Sequence, residues 1–181
     1  MRPAKVGPEA VGDALLSTFR AGGYAGASLK ELARASGLKS ASLYHRFPEG
    51  KVDMARAALA RAADAFGPPV LDPLRAPGSP SGRLVASADG VRRFYDDGAL
   101  ACVLGVMTLS DAPPPVLSAV CALFESWTEA LAGALADAGA PAPLAEAQDR
   151  IAGIQGALVL ARGVGDASAF ARAVDRLGRR P

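Results

Sequence analysis

Apolar residues recur at helical spacing along most of the chain, and the punctuation between them predicts about nine helices. Val11, Leu15 and Phe19, with Ala14 and Leu16, set a first helix over about 8–21. Pro8 suits its first turn, where a missing N–H costs nothing, and Gly22-Gly23 stop it. Ser28 with Glu31 three residues on is a capping-box pattern for a second helix that ends at Gly37. A third, short helix opens near Lys39 and must stop before Pro48, whose ring a helix interior does not accept. A fourth runs over about 51–66, with Val52, Ala55 and Leu59 on one side. Residues 67–82 hold most of the Pro and Gly punctuation and read as a connection between two parts. Beyond them the pattern gives helices at about 83–97, 100–110, 114–138, 144–163 and 167–178. No run of β-branched and aromatic residues lies between turn signals, and no internal repeat occurs. The expected fold class is all-α.

The stretch from Ser28 to Lys51, SLKELARASGLKSASLYHRFPEGK, is the most informative. Leu29, Leu32 and Ala33 share one face of the second helix, and Leu43 and Phe47, four apart, form the buried stripe of the third. Gly37 stands where two crossing helices need a left-handed residue, Leu38 can fill the corner, and Ala33 is small where the helices must approach. This is a helix-turn-helix pattern. On the outward face, Ala41, Ser42, Tyr44 and His45 point away from Leu43 and Phe47. The third helix carries no acid, and Ser40, Lys39 and Arg46 stand close by. Short hydroxyls and a phenol suit base edges and phosphates in a major groove, and cations neutralise phosphate. Arg46 lies to the flank, where phosphate contact is expected. Lys51 opens the fourth helix, whose free N–H groups favour an anion. The plainer alternative is that Ser28 only caps, Tyr44 packs and the basic residues form a solvated face.

Charge changes the picture modestly. The net charge is +2, yet residues 1–66 hold ten Lys/Arg and six Asp/Glu, while the remainder holds ten and twelve. Every lysine lies at or before Lys51, so a basic head precedes a slightly acidic body and a polyanion would meet the head. Half of the 181 residues are apolar, enough for a substantial core, and the abundant alanine favours helix. Cys102 and Cys121 have no His, Cys or acid at metal spacing and are expected to be buried, reduced thiols. The lone His45 completes no metal site. Without paired carboxylates, a phosphate loop or a nucleophile–base pair, neither an enzyme nor a cofactor or metal site is expected. Apolar runs such as 98–109 are too short and glycine-broken to span a bilayer, and no signal-peptide pattern opens the chain. A cytoplasmic protein without membrane contact is the expectation.

Gly23-Tyr24, Ser28, Leu32-Ala33, Gly37-Leu38-Lys39, Ser42-Leu43-Tyr44-His45, Phe47 and Lys51 stand in a recognisable order. Through them, residues 11–60 resemble the N-terminal domain of the TetR/AcrR family of transcriptional repressors. Arg46 replaces the tyrosine or histidine common there. The segment FPEGK is one residue longer than the commonest spacing and is similar to the form found in the LmrA/YxaF-like branch. ALACVLGVMTL and RIAGIQGALVLARGVGD are similar to later stretches of that branch. The resemblance implies DNA contacts from Ser28, Lys39, Ser40, Ser42, Tyr44, His45 and Lys51; the residue pattern adds Ala41 and Arg46. It also implies a helix-turn-helix domain over 1–66 and a helical ligand-binding and dimerisation domain over 67–181. The protein would then be a homodimer on double-stranded, palindromic operator DNA, released by a small apolar or aromatic effector.

In the second part, Phe94, Tyr95, Cys102, Met107, Phe124, Trp127 and Gln155 are mostly apolar with few polar handles, as pocket linings tend to be. Gly153, Ala157 and Ala161 form a small-residue ridge, and Phe170 and Val174, with Leu177, form an apolar stripe. Two such helices from each of two subunits could build a four-helix interface, although core packing within one subunit explains the same spacing. Two readings compete with the regulator: a ligand-sensing helical protein without operator binding, and an enzyme built on a helix-turn-helix-like core.

Overall fold

Local signals decide most element boundaries. The computed structural model describes residues 7–181, which contain helices and no strand. Helix α1 (Pro8–Gly26) buries Val11, Leu15, Leu16 and Phe19 on one stripe. Its dihedrals break at Gly23 (φ 65°, ψ −172°), two residues beyond the expected end, and one further turn reaches Gly26. Helix α2 (Leu29–Ser36) begins on the full capping box and ends at Gly37 in the left-handed conformation (φ 66°, ψ 14°). Helix α3 (Ser40–Arg46) is seven residues long and α4 spans Lys51–Phe66, as the pattern indicates.

The chain groups into two compact units. The first takes residues up to Ala63 together with Val103–Cys121, and so includes α7 (Val103–Thr108) and the start of α8 (Pro114–Asp137). Its core holds Leu15, Phe19, Leu32, Leu43, Met54, Leu59 and Met107, all essentially withdrawn from water. Burying a side chain of that size contributes about 1.5–3 kcal/mol. Helix α1 packs on both α2 and α7, and an Asp13–Arg61 ion pair at 2.7 Å joins it to α4.

The second unit takes Asp64–Cys102 and the residues from Ala122 onward. It contains α6 (Pro80–Phe94), α9 (Pro143–Val164) and α10 (Ser168–Leu177). Residues 67–75, expected to be an irregular connection, are helical instead. A π-helical turn over Gly67–Leu71 leads straight into a one-turn helix, α5 (Asp72–Arg75), with Val70 and Leu74 buried. Pro68 and Pro69 lack N–H groups, so the i→i+4 ladder has no donors there. The turn widens until the Asp72 N–H reaches the Gly67 carbonyl. Helix α6 lies so close to this turn that a Cβ at Gly90 would stand 1.8 Å from the Pro69 carbonyl oxygen. Arg150 on α9 donates to the Leu177 and Arg179 carbonyls at 2.9 and 2.7 Å, and so ties down the end of α10.

Helix α8 is, by length and composition, long and apolar enough to cross a membrane, contrary to the expectation that the apolar runs are too short for that. Its Val116, Val120, Trp127, Leu131 and Leu135 are buried inside the protein and form one face of the helix, while about a third of its apolar stretch is buried overall. Cys121 is exposed, contrary to expectation, because its position faces away from that stripe; Cys102 is buried. Among the described residues no three His, Cys, Asp or Glu side chains come together as a metal-binding group.

The capping box makes α2 sensitive to acid. Hydrogen bonds from the Ser28 backbone and hydroxyl hold the Glu31 carboxyl below the usual glutamate range, helped by the charges of Arg34 and Lys51. The folded chain therefore binds this proton less readily than the unfolded chain. Its stabilising contribution is complete above the ordinary glutamate value and is lost as pH falls through the lower, folded value. Glu31→Gln keeps an acceptor for the cap but removes this titration, so the variant's melting temperature should fall less than the wild type's between neutral and acid pH.

Candidate nucleic-acid interface

Helix α3 is anchored by one residue. Leu43 is buried, Phe47 at the C-cap is half-buried, and Lys39, Ser40, Ala41, Ser42, Tyr44, His45 and Arg46 are all exposed. Among the described residues the side chains of Ser40, Ser42 and His45 make no hydrogen bond within the protein. The ring of Tyr44, 48% exposed, passes beside Gly50 at the turn into α4. A run of hydroxyls, a phenol and an imidazole with cations at both ends is thus presented to solvent without a carboxylate on α3. Such a surface offers donors and acceptors to base edges and charge to phosphate.

Two sequence candidates are less free than the rest. Ser28 Oγ accepts from the Glu31 N–H at 3.2 Å and donates to Glu31 Oε2 at 2.8 Å, so its hydroxyl proton is already engaged. Lys51 is half-buried: its ammonium donates to the Ala25 carbonyl at 3.4 Å and lies 4.8 Å from the centre of the Tyr24 ring. Burial lowers its pKa, and the Glu31 carboxylate opposes that shift. Beside it, the Glu49 N–H is taken by Asp53 Oδ2 at 2.8 Å, so α4 supplies its own anion at its first turn. No spacing rule identifies Tyr24 as the seat of Lys51, because the two residues meet only once α1 and α4 are folded together.

The proposed pocket residues fall in both units. Phe94, Tyr95, Cys102, Phe124, Trp127 and Gln155 belong to the second, and Met107 to the first. In the second unit, Trp127 and Phe94 both meet the ring of Phe66 edge-on, at 4.9 and 5.0 Å between centres. Phe94 also meets Tyr95 at 5.0 Å, and the Tyr95 hydroxyl donates to Cys102 Sγ at 3.3 Å. Trp127 Nε1 and Gln155 Nε2 are buried donors without a hydrogen-bond partner. Phe66 is the member of this cluster that the sequence did not single out, since it closes a helix and lies outside the predicted second part.

Of the interface candidates, Phe170 and Val174 are fully enclosed within their own chain, with Phe170 packed 6.1 Å from Tyr95. Their apolar surface is already covered and leaves a partner nothing to touch. Ala157 and Ala161 are also buried, and Gly153 is half-buried. The exposed large apolar side chains of α9 are Leu144 near its start and Val159, Leu160 and Val164 near its end.

Residues 13–58 match the model of the bacterial regulatory proteins, tetR family. No curated protein sequence matches the chain. Solved structures do: a TetR transcriptional regulator from Legionella pneumophila superposes with a TM-score of 0.84 at 23% identity, covering 98% of this chain and 97% of that one. A TetR-family regulator from Agrobacterium tumefaciens gives 0.79 at 22%, covering 95% and 97%. The reduced form of E. coli NemR gives 0.75 at 20%, covering 92% and 94%. Residues 13–58 are therefore a TetR-type N-terminal domain, and the chain as a whole has the fold of TetR-family transcriptional regulators.

Proposed function

We propose that this protein is a non-enzymatic, sequence-specific DNA-binding regulator, a repressor that holds a palindromic operator as a homodimer until a small apolar or aromatic ligand releases it. The observation that carries this reading is the outward face of α3. Ala41, Ser42, Tyr44 and His45 are exposed side by side, unshielded by any acid on that helix, while Leu43 holds the helix to the core. In a major groove, Ala41 and Ser42 permit close approach, Tyr44 and His45 reach further, and Lys39 and Arg46 meet phosphates at the edges. Lys51 supports the edge from its seat on Tyr24.

Homodimer formation is supported by α9, where Val159, Leu160 and Val164 are 67, 54 and 74% exposed and lie at helical spacing. The small residues Gly156 and Gly163 beside them would let a second helix come close. Ligand release is supported by the Phe66–Phe94–Trp127 cluster with the unpartnered Trp127 Nε1 donor. A buried N–H without an acceptor costs about 1–3 kcal/mol, so a planar ligand bearing an acceptor would gain there what the empty protein lacks. Release requires only that such a ligand bind the conformation unsuited to DNA more tightly. The FPEGK spacing supports membership of the LmrA/YxaF-like branch.

Tyr44→Ala should abolish selection of a preferred sequence from a random duplex pool while leaving the melting temperature unchanged; retained selection would remove α3 as the reading helix. Leu160→Glu with Val164→Glu should convert a dimer into a monomer in sedimentation, and a double variant that still sediments as a dimer would place the interface elsewhere. Trp127 is the only tryptophan, so its emission reports on its own surroundings. In a screen of planar aromatic compounds, those that shift this emission should also release the selected duplex. Compounds that shift it and leave the duplex bound would refute ligand release.

A further inference from the structure

We infer that Ser110, in the turn after α7, is a positioning residue for Lys51, and through it for phosphate contact. The chain of contacts lies wholly within the first compact unit. The Tyr24 N–H donates to Ser110 Oγ at 2.7 Å, and the Ala25 N–H donates to the Ser110 carbonyl at 3.2 Å. Ser110 Oγ in turn donates to the Met107 carbonyl at 3.2 Å, which fixes its rotamer on the end of α7. Two successive residues of the α1 exit are thereby pinned by one residue far along the chain. Those same two residues form the seat of Lys51, whose ammonium takes the Ala25 carbonyl and covers the Tyr24 ring. The Phe19 ring lies nearly parallel to the Tyr24 ring, 6.3 Å away between centres, and packs against the same seat.

The backbone at this point is made for the contact. Gly23 has φ 65°, and a Cβ there would fall 2.7 Å from Ser110 Cβ and 2.8 Å from its Oγ. Only a residue without a side chain lets Ser110 approach closely enough to take the next two N–H groups. Nothing in the packing of α1 on α7 requires a hydroxyl at this position; the hydroxyl is needed to orient the Tyr24–Ala25 turn. A lysine with four rotatable bonds is a poor phosphate ligand unless its stem is held, and here the holding passes from Ser110 to the turn and from the turn to the ammonium.

This inference rests on the reading that Lys51 meets phosphate, and the test separates the two. Binding to a labelled random-sequence duplex is measured over roughly 50–200 mM salt, where each neutralised phosphate contributes about 0.9 to the slope of log affinity against log salt. Lys51→Ala should weaken binding about tenfold and lower the slope by about 0.9, since a contact to a charged group is lost. Ser110→Ala should weaken binding about threefold to tenfold and lower the slope in the same direction. In the Lys51→Ala background, adding Ser110→Ala should have no further effect. Ser110→Cys, close in size but a poor acceptor, should behave as Ser110→Ala and guards against a folding defect. If the Ser110 variants weaken binding by the same factor with or without Lys51 and leave the salt slope unchanged, Ser110 is merely structural and the inference fails. Unaltered binding by both Ser110 variants also overturns it. An unaltered slope in Lys51→Ala overturns the phosphate reading of Lys51 and the inference with it, and absence of duplex binding by the wild type overturns the DNA reading itself.

Discussion

A seven-residue helix cannot stand alone in water, because nucleation costs more than so few hydrogen bonds return. Helix α3 exists because Leu43 is withdrawn into the core formed with Leu32 and the residues of α1 and α4. The whole outward face of α3 depends on that single insertion. With one side chain inside, six positions of the helix remain outside, and their chemistry is free to be chosen for a partner. The capping box at Ser28 fixes where α2 begins, and the left-handed Gly37 at its other end sets the turn by which the chain enters α3 and so the direction of that outward face.

The first sixty-odd residues were legible because their signals are local. A capping pair, a glycine in a left-handed turn and a proline that forbids helix each act within a few residues, and α2, α3 and α4 end where those residues stand. What escaped was non-local. An amphipathic stripe says that a surface will be covered and not what covers it: Phe170 and Val174 read as well for a subunit interface as for the interior in which they lie. Two adjacent prolines announce an interrupted ladder, but whether the chain unwinds or widens into a π turn depends on the burial of Val70 and Leu74. The grouping of 103–121 with α1 comes from α7 packing along α1, and it includes the close approach of Ser110 to Gly23, a partnership no spacing rule contains.

The electrostatics are more restrained than the count of charges suggests. Ser28 donates its hydroxyl hydrogen bond to Glu31, Lys51 leans on a carbonyl and a ring, and Asp53 accepts from the backbone at the start of α4. Among the cations without an ion pair, Lys39 and Arg46 flank α3. Such an arrangement places charge at the rim and neutral donors at the centre, so that orientation and sequence preference rest on different residues.

The contact between Gly90 and Pro69 ties two distant positions into one heritable unit. With a Cβ at 90 lying 1.8 Å from a backbone oxygen, no substitution there is tolerated until the turn at 67–71 has a different shape. The prolines, in their turn, can be exchanged only for residues that keep that carbonyl where the helix passes it. Sequence drift in relatives sharing this turn would therefore have to change both places together, and a relative that has restored regular helix at 67–71 is one in which position 90 has been released to vary.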